Sequence, residues 1–194
     1  MSTYLYDEAL ENKIKYWTED TNVHIYGPNQ TRRLFMTIAN ETNDKPIELP
    51  LISISRIGGF NILNQSKQPL AYSALTIQAN QEKGMKLNAI PIDLQYQIDV
   101  YARYYKDADE IARNLVFNFI RYPKIQITVP YYEQNILHSS KISLSSEVQD
   151  NSDIPERLIA GQFTRLSFSI HIDDAYLWDI RIGETIRITD VDIA

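Results

Sequence analysis

Apolar and polar residues alternate strictly along the middle of the chain. Ile92, Leu94, Tyr96, Ile98 and Val100 fall on one side, and Asp93, Gln95, Gln97, Asp99 and Tyr101 on the other. A period of two predicts a long strand with one apolar face. After Tyr104 and Tyr105 the period changes: Ala108, Ile111, Ala112, Leu115, Val116 and Phe119 recur every three to four residues, the stripe of an amphipathic helix. Asp107 is placed to cap that helix, with Glu110 three residues on to reach back to the cap. Pro123 ends it, because the residue before a proline is pushed out of the α region. Ile125, Ile127 and Val129 then resume alternation up to Pro130. The stretch from Ile90 to Val129 therefore reads as strand, helix, strand, with the helical stripe buried against the strands.

The flanking segments carry the same two periods. Tyr6 to Trp17 predicts a first helix, with Ala9, Leu10, Lys13, Ile14 and Trp17 along one side and Asp7 and Glu8 near its positive end. Asn22 to Tyr26 reads as a short strand closed by Gly27-Pro28, and Leu34, Phe35, Ile38 and Ala39 suggest a second helix from Asn29 or Thr31 to Asn40. Leu49 to Arg56 alternates as a strand, broken by Gly58-Gly59. The polar stretch from Phe60 to Asn88 fits a hairpin or mobile excursion better than a second core. Lys141 to Glu147 alternates Ile142 and Leu144 with serines, and Gln149 to Pro155 reads as an acidic loop. A short apolar piece, Leu158 to Ala160, leads to Gly161. Leu166, Phe168, Ile170 and Ile172 alternate with Arg165, Ser167, Ser169 and His171. Asp173-Asp174 suggests a turn, followed by β character at Trp178, Ile180, Ile182, Ile186, Ile188, Val191 and Ile193. Helices first, then strand–helix–strand, then mostly antiparallel strands predict an α+β fold, a mixed sheet against a few helices, in one domain over 1–194 with the excursion at about 58–88.

Composition narrows the function classes. There are no cysteines, which removes disulfides, thiolate chemistry and cysteine-ligated zinc. A net charge of −6 argues against nonspecific duplex binding through a basic face. No apolar run approaches the roughly 20 residues a membrane span needs. Met1 to Glu8 is polar and acidic where a signal peptide carries positive charge and then an apolar stretch. The 13 tyrosines and 2 tryptophans suit protein interfaces, and equally suit packing within a sheet.

Candidate chemistry is thin. His171 and Asp173 share a strand face beside Asp174, an incomplete ligand set for a metal, and the simpler reading is a half-exposed histidine next to a turn. His24 and His138 sit in turn-flanked contexts with no partner at a diagnostic interval. Glu147, Asp150 and Asp153 lack the glycine and spacing of a calcium loop. Asp93 and Asp99 lie about 20 Å apart by strand rise, too far for paired acid–base work, so contacts to water or a neighbouring subunit are expected. The serine pairs Ser139-Ser140 and Ser145-Ser146 lack nucleophile-elbow glycines, and Gly58-Gly59 lacks the rest of a phosphate loop. These readings predict no catalytic residue, no cofactor and no metal.

Three blocks together carry a resemblance: Leu49-Pro50-Leu51-Ile52-Ser53-Ile54-Ser55-Arg56; the run from Ile90 to Phe117; and Gly161-Gln162-Phe163-Thr164-Arg165-Leu166 through Asp173-Asp174-Ala175-Tyr176-Leu177-Trp178. They resemble structural proteins of contractile-tailed bacteriophages, nearest to the tail terminator, also called the tail completion or sheath-stabiliser protein. The resemblance covers about two-thirds of the chain and leaves out most of Phe60 to Asn88. It implies an α+β protomer in a homohexameric ring in the virion's tail–neck region. One face of the ring would meet the tail tube or sheath and the other the neck and connector proteins of the head, while DNA passes through without specific binding and no membrane is involved. Tyr101, Arg103, Tyr104 and Tyr105, at the strand-to-helix corner, are the expected subunit contact, against the alternative of a corner packed within the protomer. Two other readings compete with termination: a neck connector or baseplate adaptor of the same virion, and a small metal-dependent enzyme using His171 and Asp173.

Overall fold

The computed structural model describes residues 3–19, 22–31, 48–63, 70–74, 85–131, 134–152 and 163–178. Among these, helix α1 (Tyr4–Trp17) precedes strands β1 (His24–Tyr26), β2 (Leu51–Arg56), β3 (Asn61–Ile62), β4 (Leu70–Ala74) and β5 (Met85–Ala102). Helix α2 (Tyr105–Arg121) then leads to β6 (Lys124–Tyr131), β7 (Gln134–Asp150) and β8 (Thr164–Trp178). The fold is α+β, a mixed sheet packed against helices.

Strand β5 is the spine. One edge pairs antiparallel with β8 along nearly its whole length. The other edge takes β4, β3 and β2 in turn, all antiparallel. The pairing of Leu70–Ala74 with Met85–Ala89 makes β4 and β5 a hairpin. The sheet runs β1-β2-β5-β8-β7-β6, with β1 and β2 parallel. Its outermost strands β1 and β6 both touch α1, so the sheet curls across that helix. Gly58 and Gly59, at φ 65° and 85°, turn the chain after β2, a region where a side chain is strained.

The period-two residues behave as their pattern requires. Leu94, Tyr96, Ile98 and Val100 sit opposite Ile172, Ile170, Phe168 and Leu166, and all are buried on the face that meets the helices. Tyr6, Leu10 and Ile14 of α1, with Ala108, Ala112, Leu115 and Phe119 of α2, cover that face. The helices meet edge to face through Trp17 and Phe119, ring centroids 4.9 Å apart. The Tyr6 hydroxyl accepts a hydrogen bond from the Tyr176 amide at 2.9 Å, fixing α1 to β8. Burial raises the Tyr6 pKa, and the Tyr176 amide offsets part of that rise.

Several expectations are corrected. Asp107 does not cap α2. Tyr104, in extended geometry (φ −117°, ψ 144°), occupies the cap position with no side-chain hydrogen bond, and Asp107 lies in the first turn, where it faces the positive end of the helix dipole. The chain does not turn at Asp173-Asp174, because β8 runs through both. Leu94 pairs with Ile172 and Ile92 with Ala175, so β8 carries one extra residue, a β-bulge with Asp174 at φ 59°. Aspartate tolerates this left-handed conformation better than most residues. His138 is not in a turn: β7 extends from Gln134 to Asp150, taking in His138, Gln149 and Asp150, and pairs with β6. The helix expected through Asn40 begins as a helical turn at 28–31. Its remainder, the piece from Leu158 to Ala160 and the β character beyond Trp178 lie outside the described residues.

Candidate functional site

The corner between β5 and α2 divides its aromatic residues by environment. Tyr101 is buried, contrary to the exposure expected for it: its ring lies 5.5 Å from that of Phe163, and the Arg165 guanidinium stands 5.5 Å from its centroid. Leu51, Tyr101 and Phe163 form a small second core on the sheet face away from the helices. The alternation that puts Tyr96 inward puts Tyr101 on the opposite face, and Phe163 is what covers it there. Arg103, Tyr104 and Tyr105 are exposed, the two tyrosines by 64% and 57%. Once Tyr104 N-caps α2, its side chain and that of Tyr105 leave the sheet altogether.

The opposite end of α2 is also apolar on its outer side. Phe117, Ile120 and Tyr122 are exposed by 65%, 62% and 51%. The helical stripe accounts for Ala108, Ala112, Leu115 and Phe119, all buried, but Phe117 and Ile120 fall off it. Apolar residues outside an otherwise complete stripe were the signal that marks this patch, and sequence reasoning passed over it.

Behind the corner, the face away from the helices holds a buried polar network. Asp99 is buried, not turned to water or to a neighbour as expected. Its carboxylate accepts hydrogen bonds from Ser167 Oγ (2.6 Å), Gln97 Nε2 (2.9 Å) and Arg165 Nη2 (3.2 Å), and from Ser53 Oγ at 3.5 Å. A carboxylate this enclosed is tolerable because most of its lone pairs are met and a guanidinium neutralises it. A comparable cluster ties α1 to the sheet on the other face: Asp7 pairs with Arg56 at 2.5 Å and accepts from the Tyr96 hydroxyl at 2.7 Å. Burial, then the nearby Asp7 charge, raises the Tyr96 pKa. Burial works to lower the Arg56 pKa, and the Asp7 carboxylate overcomes it to leave a net rise.

Each of the three histidines has partners of its own among the described residues. His171 Nδ1 is 3.9 Å from Asp93 Oδ1, while Asp173 accepts a hydrogen bond from Ser143 Oγ. His138 is buried: its Nε2 lies 3.0 Å from the Asp174 carbonyl oxygen and 3.0 Å from Ser140 Oγ, with Tyr176 and Trp178 edge-on to its ring. His24 Nε2 is 3.0 Å from Glu48 at the surface. Among the described residues, no group of three or more histidine, aspartate or glutamate side chains is disposed to hold a metal ion.

Two shallow depressions open among the described residues. One, of about 170 Å³, opens where β7 bulges between Leu144 and Val148, and is lined by Gln95, Gln97, Ser145, Glu147, Gln149 and Ser169 among others. The Ser169 amide there donates to Ser145 Oγ at 3.2 Å. The other, between α1 and β6, is lined by Lys13, Lys124, Gln126 and Ser139 with Ala9 and Ile125. The Lys13 amine sits 4.7 Å over the Trp17 ring, and burial lowers its pKa. No helix of the described residues is long and apolar enough to cross a membrane. No known protein family and no curated protein matches the chain.

Proposed function

We propose that the chain is a structural virion protein of a contractile-tailed bacteriophage, assembling as a homohexameric ring that caps the head-proximal end of the tail. The observation that carries this reading is where the three resembling blocks lie: Leu49–Arg56 supplies β2, Ile90–Phe117 supplies most of β5 and α2, and the third supplies β8. These are adjacent strands, β2-β5-β8, so residues far apart in sequence make one continuous scaffold. That scaffold ends in the exposed corner of Arg103, Tyr104 and Tyr105. Tyrosine and arginine are the residue types that dominate the binding energy of protein interfaces.

A cap of this kind acts by shape. Occupying the last ring of tube or sheath removes the surface on which the next subunit would add, and the far face of the ring receives the neck proteins. The net charge of −6 suits a bore that DNA passes without adhering. Deleting the gene tests the reading. Over-long or headless tails support it; tails lacking baseplates point instead to a baseplate adaptor, and tails of normal length joined to heads would overturn the capping role.

A further inference from the structure

We infer that neighbouring copies join head to tail through the two ends of α2, the tyrosine corner of one copy seating on the Phe117–Ile120–Tyr122 patch of the next. This rests on the ring reading above and names its interface. A contact between two different patches is heterologous, the type that closes into rings larger than dimers. With 17 residues, α2 holds its ends about 25 Å apart, so each end meets a different neighbour.

Charge selects a second copy as the occupant. From Arg113 to Lys124 the chain carries three basic residues and no acidic one, and Arg113, Arg121 and Lys124 are all exposed. The first two turns of α2 expose Asp107, Asp109 and Glu110, an acidic surplus over Arg103 and Lys106. None of these charged side chains is ion-paired with another described residue. The helix dipole alone favours acids at the start and bases at the end. It gives no reason for five large apolar or aromatic groups to stand exposed beside them, whereas an interface with a polar rim does.

Two charge-swapped chains test this by native mass spectrometry. Asp109→Arg/Glu110→Arg makes both ends of α2 basic, and Arg121→Glu/Lys124→Glu makes both ends acidic. Each chain alone is expected to stay monomeric, and an equimolar mixture is expected to form rings in which the two alternate. If the wild type forms rings and both swapped chains do so alone, the interface is elsewhere and this inference fails while the ring reading stands. If the wild type forms no assembly at any concentration, both fail. Should a swapped chain not fold, Phe117→Ser/Ile120→Ser, which changes only exposed side chains, decides the matter: loss of the ring supports the contact and its retention overturns it.

Discussion

The Arg165 guanidinium and the Asp99 carboxylate meet at 3.2 Å on adjacent strands, both side chains almost wholly enclosed. Such a pair contributes little net stability, because desolvation offsets most of the attraction, but losing one partner strands the other's charge. Asp99→Ala is therefore expected to cost about 3–5 kcal/mol. Adding Arg165→Leu to it should recover part of that loss. Urea unfolding measures both; a double variant less stable than Asp99→Ala alone would refute the argument.

The two tyrosine environments at the corner separate stability from assembly. Tyr101→Ala removes a ring packed on Phe163 and Arg165 and should destabilise the protomer by about 3 kcal/mol. Tyr104→Ser and Tyr105→Ser should each change stability by no more than about 0.5 kcal/mol, as exposed substitutions do. The same two variants should weaken assembly. Thermal melts beside native mass spectra read the two effects apart.

Alkaline stability should depend on Tyr96. Its folded-state pKa is raised, so the folded protein holds a proton that the unfolded chain releases near pH 10. The stabilisation is complete below about pH 10 and is lost as pH rises above it, at about 1.4 kcal/mol per pH unit. Tyr6, raised by burial in the same direction, adds to the slope. Tyr96→Phe should flatten the alkaline slope by one proton's worth. At neutral pH it should cost about 1.5–3 kcal/mol through the lost hydrogen bond to Asp7. Denaturant midpoints across pH 8 to 11 test the sign.

The bulge in β8 predicts an ordering at one position. Asp174, at φ 59°, should be replaced by glycine within about 0.5 kcal/mol, since glycine meets no steric penalty there. Asp174→Val should cost about 1–3 kcal/mol, being both β-branched and left-handed. Equal midpoints for the two variants would show that the bulge does not constrain that residue.

The legible parts of the fold were those where one face is greasy and the other wet. β5, α2 and β8 announce themselves through Leu94–Val100, Ala108–Phe119 and Leu166–Ile172, because a buried stripe repeats at the period of its element. Asp99 reads as meeting water or a neighbouring subunit by the same logic, and the structure buries it against Arg165; nothing local reveals that Phe163, Ser53 and Ser167 close over that end of the sheet. Asp173-Asp174 carries turn chemistry that also serves a bulge, and only pairing with β5 decides between them. β7 was underestimated because its serines and His138 weaken the alternation that β6 and β8 enforce on it. At the corner, Arg103, Tyr104 and Tyr105 are exposed as their position suggests, while Tyr101 belongs to a small core that Leu51 and Phe163 complete from distant parts of the chain.

The oligomeric mass of the purified wild-type chain tests the central claim most directly. Native mass spectrometry should show a closed assembly of six copies. A chain that remains monomeric at every concentration would contradict an account in which the protein works by mating its surfaces with copies of itself.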